Sequence, residues 1–173
     1  LIRLLGTVPG VVDVGLTTNG LLLAEHAQAL WDAGLRRLNV SLDTLRPETF
    51  QTLTRRPGLE RVLEGIAAAR AVGFHPIKIN AVSIRGITET EVVPLAQYAR
   101  THGLELRFIE YMPIGADAWD RQRVYFAHEI MEQLEAAIAP LLPAPDYHPR
   151  SPAMDFDYAD GGGRLRFIPS IAR

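Results

Sequence analysis

Apolar and polar positions repeat one unit through the first two-thirds of the chain: a short β-branched or apolar run, a polar turn, then apolar residues spaced three and four apart. Residues 11–17 predict the first strand. Over 22–33, Leu22, Leu23, His26, Leu30 and Ala33 fall at helical spacing, and Gly34 stops the helix. Residues 37–42 predict a second strand, and Pro47 suits the first turn of a short helix. Residues 59–71 predict a helix, with Leu63, Ile66, Ala67 and Arg70 on related faces and Gly73 at its end. Residues 77–82 predict a third strand. Thr88, with Glu91 three residues on, has the spacing of a capping box for a helix over 89–102 that stops at Gly103. Residues 106–112 predict a fourth strand. Strand and helix alternating at this spacing imply right-handed βαβ crossovers and a parallel sheet.

The remainder reads differently. Residues 127–138 predict one more helix. Of the chain's 12 prolines, Pro140, Pro143, Pro145, Pro149 and Pro152 then crowd together, which predicts a linker or wrapping loop rather than a core element. Asp160-Gly161-Gly162-Gly163 is a turn, and its flanks at 156–158 and 165–167 predict a β-hairpin. Leu1-Ile2-Arg3-Leu4-Leu5 reads as the middle of an amphipathic helix and residues 164–169 as a strand running off the end, so the expectation is a piece of a longer chain.

Strands of an all-parallel sheet are usually buried on both faces and apolar throughout. These are not. Period two puts Lys78 and Asn80 on one face of the third strand, and Asn39, Ser41 and Asp43 on one face of the second. Arg107 interrupts the fourth, and the first ends in Thr17-Thr18-Asn19-Gly20. Burying an unpaired Lys or Arg costs several kcal/mol. Any one of these strands could be an edge strand with its polar heads in water. Four with the same habit point to a shared polar site at the carboxyl ends of barrel strands. The residues alone assign it no reaction.

Composition narrows the class. Apolar residues make up 47% and charged residues 22% of 173, as in an ordinary globular domain. The net charge of −2 gives no reason to expect a nucleic-acid or membrane partner. There are no cysteines, which fits a reducing cytoplasm and leaves the chain no thiolate for an iron–sulfur cluster. Trp31 on its helix reads as core packing. Glu25, His26, His75, His102, His128 and His148 lack metal-ligand spacing, and Arg55-Arg56 reads as a solvated pair.

Four stretches are more specific: Leu16-Thr17-Thr18-Asn19-Gly20-Leu21-Leu22-Leu23, Gly34-Leu35-Arg36-Arg37-Leu38-Asn39-Val40-Ser41-Leu42-Asp43, Ile77-Lys78-Ile79-Asn80, and Arg107-Phe108-Ile109-Glu110-Tyr111-Met112-Pro113. In order and spacing they closely resemble the GTP 3′,8-cyclase family, radical S-adenosylmethionine enzymes of the first step of molybdenum cofactor synthesis. The likeness spans nearly the whole chain and is strongest over 15–113. It implies an α/β fold that is the central part of an incomplete TIM-like barrel: about four parallel βα units, then a C-terminal helix and β-hairpin. Residues 1–120 would be the partial-barrel core, and 121–173 an extension toward a second cluster region.

The family carries two 4Fe-4S clusters. One cleaves S-adenosylmethionine to a 5′-deoxyadenosyl radical, and the other holds GTP. The resemblance places the cluster cysteines outside this chain, so none of its residues is a metal ligand or does covalent chemistry. By the same resemblance Thr17 and Lys78 contact GTP, Lys78 at the phosphates, and Ser41 and Met112 contact S-adenosylmethionine, Met112 beside the adenine. Asn80 and Arg107, on the same strand ends, are further S-adenosylmethionine contacts. The implied partners are GTP and cyclic pyranopterin monophosphate synthase downstream, with a homodimer as a compatible assembly and the cytoplasm as the location. These 173 residues alone would be inactive.

Two other readings remain open at this point. A lysine on a barrel strand is also where a Schiff-base aldolase keeps its nucleophile, here Lys78 with Asp43 or Glu110. Alternatively, the chain is a non-catalytic half-barrel.

Overall fold

A strand that alternates buried and half-exposed positions has one side toward a core and one side left for something else, and three strands of this chain, over Ile77–Ser83, Glu105–Glu110 and Arg164–Ile168, alternate in that way. The computed structural model describes residues 1–112, 121–145 and 153–170. In chain order the elements are α1 (Ile2–Gly6), β1 (Gly15–Thr18), α2 (Leu23–Asp32), β2 (Arg37–Ser41), α3 (Pro47–Thr54), α4 (Leu59–Val72), β3 (Ile77–Ser83), α5 (Val92–His102), β4 (Glu105–Glu110), α6 (Ala127–Ala137), β5 (Leu141–Pro143), β6 (Met154–Tyr158) and β7 (Arg164–Ile168). The strand order is β1-β2-β3-β4-β7-β6-β5. The class is the expected α/β, with the first four strands in sequence order and the hairpin in place. The chain divides into two compact units. One is Leu1–Leu42 with Arg46–Ile79, and the other is Asp43–Leu45 with the described residues from Asn80 onward.

In the first unit β1 and β2 pair in parallel, Gly15 opposite Arg37 and Thr18 opposite Val40. Leu23 and Ala27 of α2, Leu59, Val62, Ile66 and Ala69 of α4, and Leu38, Val40, Ile77 and Ile79 of the strands form its core. Two glycines set how closely this core closes. Gly20 turns β1 into α2 at φ +79°, and a Cβ there would lie 2.9 Å from Val62. Gly65 in mid-α4 would put a Cβ 2.8 Å from the Gly20 carbonyl oxygen and 2.9 Å from Leu23 Cβ. Trp31 packs as expected, edge-on to Phe74 at 5.2 Å with the Arg36 guanidinium 3.9 Å above its ring.

In the second unit β4 pairs in parallel with β7, Ile109 opposite Ile168, while β6 runs antiparallel to β7 and β5 antiparallel to β6. Phe108 stacks on Phe167 at 6.1 Å, and Leu106, Leu165, Ile130 and Leu134 are buried in the same unit. Arg100 of α5 grips Asp160 in the hairpin turn through its two terminal guanidinium nitrogens, at 3.1 and 2.6 Å, and lies over the Tyr158 ring.

Four expectations are corrected. The first strand begins at Gly15, not at residue 11, because its pairing with β2 starts there and Val11 and Val12 are exposed. Thr88 is not the cap of a helix over 89–102. Its Oγ1 accepts from Ile84 N–H at 2.8 Å and donates to the Val82 carbonyl, and α5 starts only at Val92, after a 3-10 turn. The proline-rich stretch is not all loop, since Leu141–Pro143 is the strand β5. The fourth strand ends at Glu110, so Met112 follows it. Pro113, His148, Pro149 and Pro152 lie outside the described residues.

Gly65→Ala should destabilise the chain. The added methyl would improve helix propensity by about 0.5–1 kcal/mol. It also meets a backbone carbonyl that cannot swing aside, and such overpacking costs about 1–3 kcal/mol. Urea unfolding should show a lower midpoint for the variant, and a raised midpoint would contradict this close approach.

Candidate functional site

The residues singled out from the sequence sit on the non-core side of their strands or just beyond their ends. Along β3 the buried positions are Ile77, Ile79, Ala81 and Ser83, while Lys78, Asn80 and Val82 are half-buried. Along β4, Leu106, Phe108 and Glu110 are buried, and Arg107 lies on the half-buried side. Ser41 and Thr17 are exposed at the ends of β2 and β1.

Thr17, Ser41 and Lys78 belong to the first unit. Thr17 stands opposite Asn39 in the β1–β2 register, and Asn39 Nδ2 donates to Thr17 Oγ1 at 3.2 Å. The Thr17 hydroxyl therefore keeps its own proton for another acceptor. The neighbours of Thr17 make the turn instead: Thr18 Oγ1 accepts from Gly20 N–H and Asn19 Oδ1 from Leu21 N–H.

Asn80, Arg107 and Met112 belong to the second unit. Asn80 Oδ1 is buried and finds no hydrogen-bond partner among the described residues. A buried amide oxygen left so costs about 1–3 kcal/mol, which a ligand donor reaching it would relieve. Met112 is 40% exposed, a large value for an apolar side chain beside a sheet end.

Two acids at the strand ends are already engaged. Val82 N–H donates to Asp43 Oδ1 at 2.7 Å, and burial pushes the Asp43 carboxyl above its ordinary value, with that backbone bond opposing the shift. Glu91, fully buried, accepts from Leu45 N–H at 3.2 Å, so the Asp43–Leu45 segment is held at both ends. Glu110 takes three donors: Ala127 N–H, Ser170 N–H and the Ser170 hydroxyl. Asp43 and Glu110, the acids a Schiff-base mechanism would enlist beside Lys78, thus serve backbone amides. One sequence signal does mark Glu110 as a buried acid: it falls on the apolar parity of its strand, with Leu106 and Phe108.

The described residues hold no group of three or more His, Cys, Asp or Glu side chains that could hold a metal ion, and no described helix is long and apolar enough to cross a membrane. The chain has no cysteine, so it has no thiolate to offer an iron–sulfur cluster. Its strand-end groups do fit a polar organic ligand. In the first unit the fitting group is the Thr17 hydroxyl, and in the second the orphan acceptor Asn80 Oδ1.

Residues 1–99 match the Radical SAM superfamily. Along essentially its whole length the chain is similar to proteins named GTP 3′,8-cyclase. It is 43% identical to that of Rhodopirellula baltica over 100% of this chain and 49% of that protein. It is 43% identical to that of Pelotomaculum thermopropionicum over 99% and 53%, and 46% identical to that of Acidothermus cellulolyticus over 100% and 48%. The chain therefore spans about half the length of the curated relatives it matches.

Asp43 makes a testable case of acid buried for geometry rather than charge. Its carboxyl is raised in the folded chain, so the folded state holds the proton more tightly than the unfolded one. Stability contributed at this position is full below the ordinary value of 3.8 and falls as pH climbs from there through the raised value. Asp43→Asn keeps an oxygen for Val82 N–H and should lose that slope while remaining at least as stable at neutral pH. Asp43→Ala should cost about 1–3 kcal/mol by orphaning the amide. Chemical denaturation from pH 3 to 8 separates the three proteins.

Proposed function

Since the chain belongs to the radical SAM superfamily, we propose that it is a segment of a GTP 3′,8-cyclase, the enzyme that converts GTP to 3′,8-cyclo-7,8-dihydroguanosine 5′-triphosphate for molybdenum cofactor synthesis. The observation that carries this reading is its 43% identity to a GTP 3′,8-cyclase along the whole chain. In the longer protein, S-adenosylmethionine and iron–sulfur clusters supply the hydrogen-abstracting chemistry, with the cluster ligands outside these 173 residues. The contribution of this chain is to bind and orient.

Lys78 offers the GTP triphosphate a point charge on a strand, where its backbone cannot drift. Thr17, its oxygen already accepting from Asn39, donates its proton to GTP. Ser41 takes a polar group of S-adenosylmethionine. Asn80 Oδ1 accepts from the same cofactor and gains the partner it lacks, and Arg107 faces its carboxylate. Met112 gives its exposed thioether and backbone to the adenine. The product passes to cyclic pyranopterin monophosphate synthase, and cytoplasm and a homodimer complete the reading.

Two experiments test it. In the full-length protein, Lys78→Ala removes a charge-assisted contact of roughly 1.5–3 kcal/mol and should weaken GTP binding by about one to two decades, with S-adenosylmethionine little changed. Ser41→Ala should show the opposite bias. Titration of both ligands at equal cluster content decides it, and unchanged GTP affinity in Lys78→Ala removes that residue from the site. Separately, these 173 residues carried through iron–sulfur reconstitution should not cleave S-adenosylmethionine, and formation of 5′-deoxyadenosine would overturn the assignment of the cluster ligands.

A further inference from the structure

We propose that Glu110 is a positioning residue for S-adenosylmethionine: its buried carboxylate fixes the end of β4, and with it Met112, by gathering hydrogen bonds from α6 and from the chain beyond β7. The inference rests on the reading above for what Met112 touches. Its geometry stands by itself. Glu110 is 8% exposed and shares the buried side of β4 with Leu106 and Phe108. A carboxylate there is costly unless its oxygens are met. They are: Oε1 accepts from Ala127 N–H at 3.1 Å, and Oε2 from Ser170 N–H at 2.7 Å and Ser170 Oγ at 3.0 Å.

The donors explain why an acid stands here. Ala127 is the first residue of α6, where backbone N–H groups have no partner within the helix and the helix dipole favours negative charge. Ser170 lies just past β7, the strand beside β4. Residues 17 and 60 positions away in sequence thus converge on one side chain. A glutamine has one acceptor oxygen and must turn its amide N–H toward one of the two backbone donors.

The segment that gains from this is short. From Glu110, 8% exposed, the chain passes in two residues to Met112, 40% exposed. Between them the Tyr111 ring lies under the Arg123 guanidinium at 4.9 Å. The last hydrogen-bonded side chain before Met112 among the described residues is the Glu110 carboxylate. A loosened anchor lets the Met112 backbone wander, and misplacement of about 1 Å is enough to spoil a fitted contact.

The test uses the full-length holoenzyme at matched cluster content. Glu110→Gln should speed hydrogen exchange at the Ala127 or Ser170 amide. It should weaken S-adenosylmethionine roughly tenfold while GTP affinity stays within about twofold. Ser170→Ala removes only the hydroxyl donor and serves if Glu110→Gln does not fold. It should weaken S-adenosylmethionine by about two- to threefold, again with GTP unmoved. Equal losses for both ligands, or unchanged S-adenosylmethionine affinity, would make Glu110 a fold residue only and overturn the inference. Met112→Ala is the control for the underlying reading. If it leaves S-adenosylmethionine binding unchanged, the thioether contact falls, and the Glu110 and Ser170 variants decide the backbone statement. If it weakens binding and the Glu110 and Ser170 variants do not, only the inference about Glu110 falls.

Discussion

A side chain on the core side of β3 or β4 has no water to turn to, and that constraint sorts every polar residue on these strands. Ser83 on the buried side donates to the Ile109 carbonyl at 3.2 Å, and Glu110 accepts three hydrogen bonds. These are satisfied by the protein because nothing else can reach them. Lys78, Asn80 and Arg107 point the other way, to positions only half-buried. Polarity on the first side therefore holds the fold together, and polarity on the second is where the proposed ligand contacts lie. A strand period of two performs this sorting with no further device.

Strand ends need a second constraint, because pairing stops there and the chain is free to splay. Acids supply it. Asp43 holds Val82 N–H, Glu91 holds Leu45 N–H, and Glu110 holds α6 and the chain after β7. In each case a carboxylate meets a backbone amide of a different segment. Such bonds are insensitive to the rotamer of the donor, and they fix backbone rather than side chain. That is the kind of support a binding constellation requires, since first contacts are only as precise as the elements carrying them.

How much of this was legible varied with the physics. Helices α2, α4 and α6 announce themselves by apolar spacing, and Gly34 and Gly73 mark ends that structure confirms at φ +97° and +121°. The polar sides of β3 and β4 were equally readable, because alternation alone places Lys78 with Asn80 and isolates Arg107. Thr88 misled because spacing shows that a hydroxyl can reach the third residue on, not that it prefers Ile84 N–H. The strand β5 was hidden by prolines that an edge position tolerates, since among the described residues its one strand partner is β6. The first strand was drawn too long because Val11 and Val12 look like strand residues whether or not a neighbour exists to pair them. The three donors of Glu110 come from Ala127 and Ser170, and no local pattern could have named them.

The same sorting bears on why binding groups should be spread over strands while reactive thiolates are absent from all 173 residues. A residue between two buried neighbours, as Lys78 is between Ile77 and Ile79, has its Cα fixed by core packing on both sides. Binding then costs no backbone entropy there, and only the flexible lysine stem has to be ordered. Tight core packing of that kind leaves little room for a bulky metal cluster, which must be enclosed by a loop that can wrap it. Orientation and redox chemistry thus ask for different backbone. On the proposed reading, a chain built as this one is supplies the first and leaves the second to the rest of the longer protein.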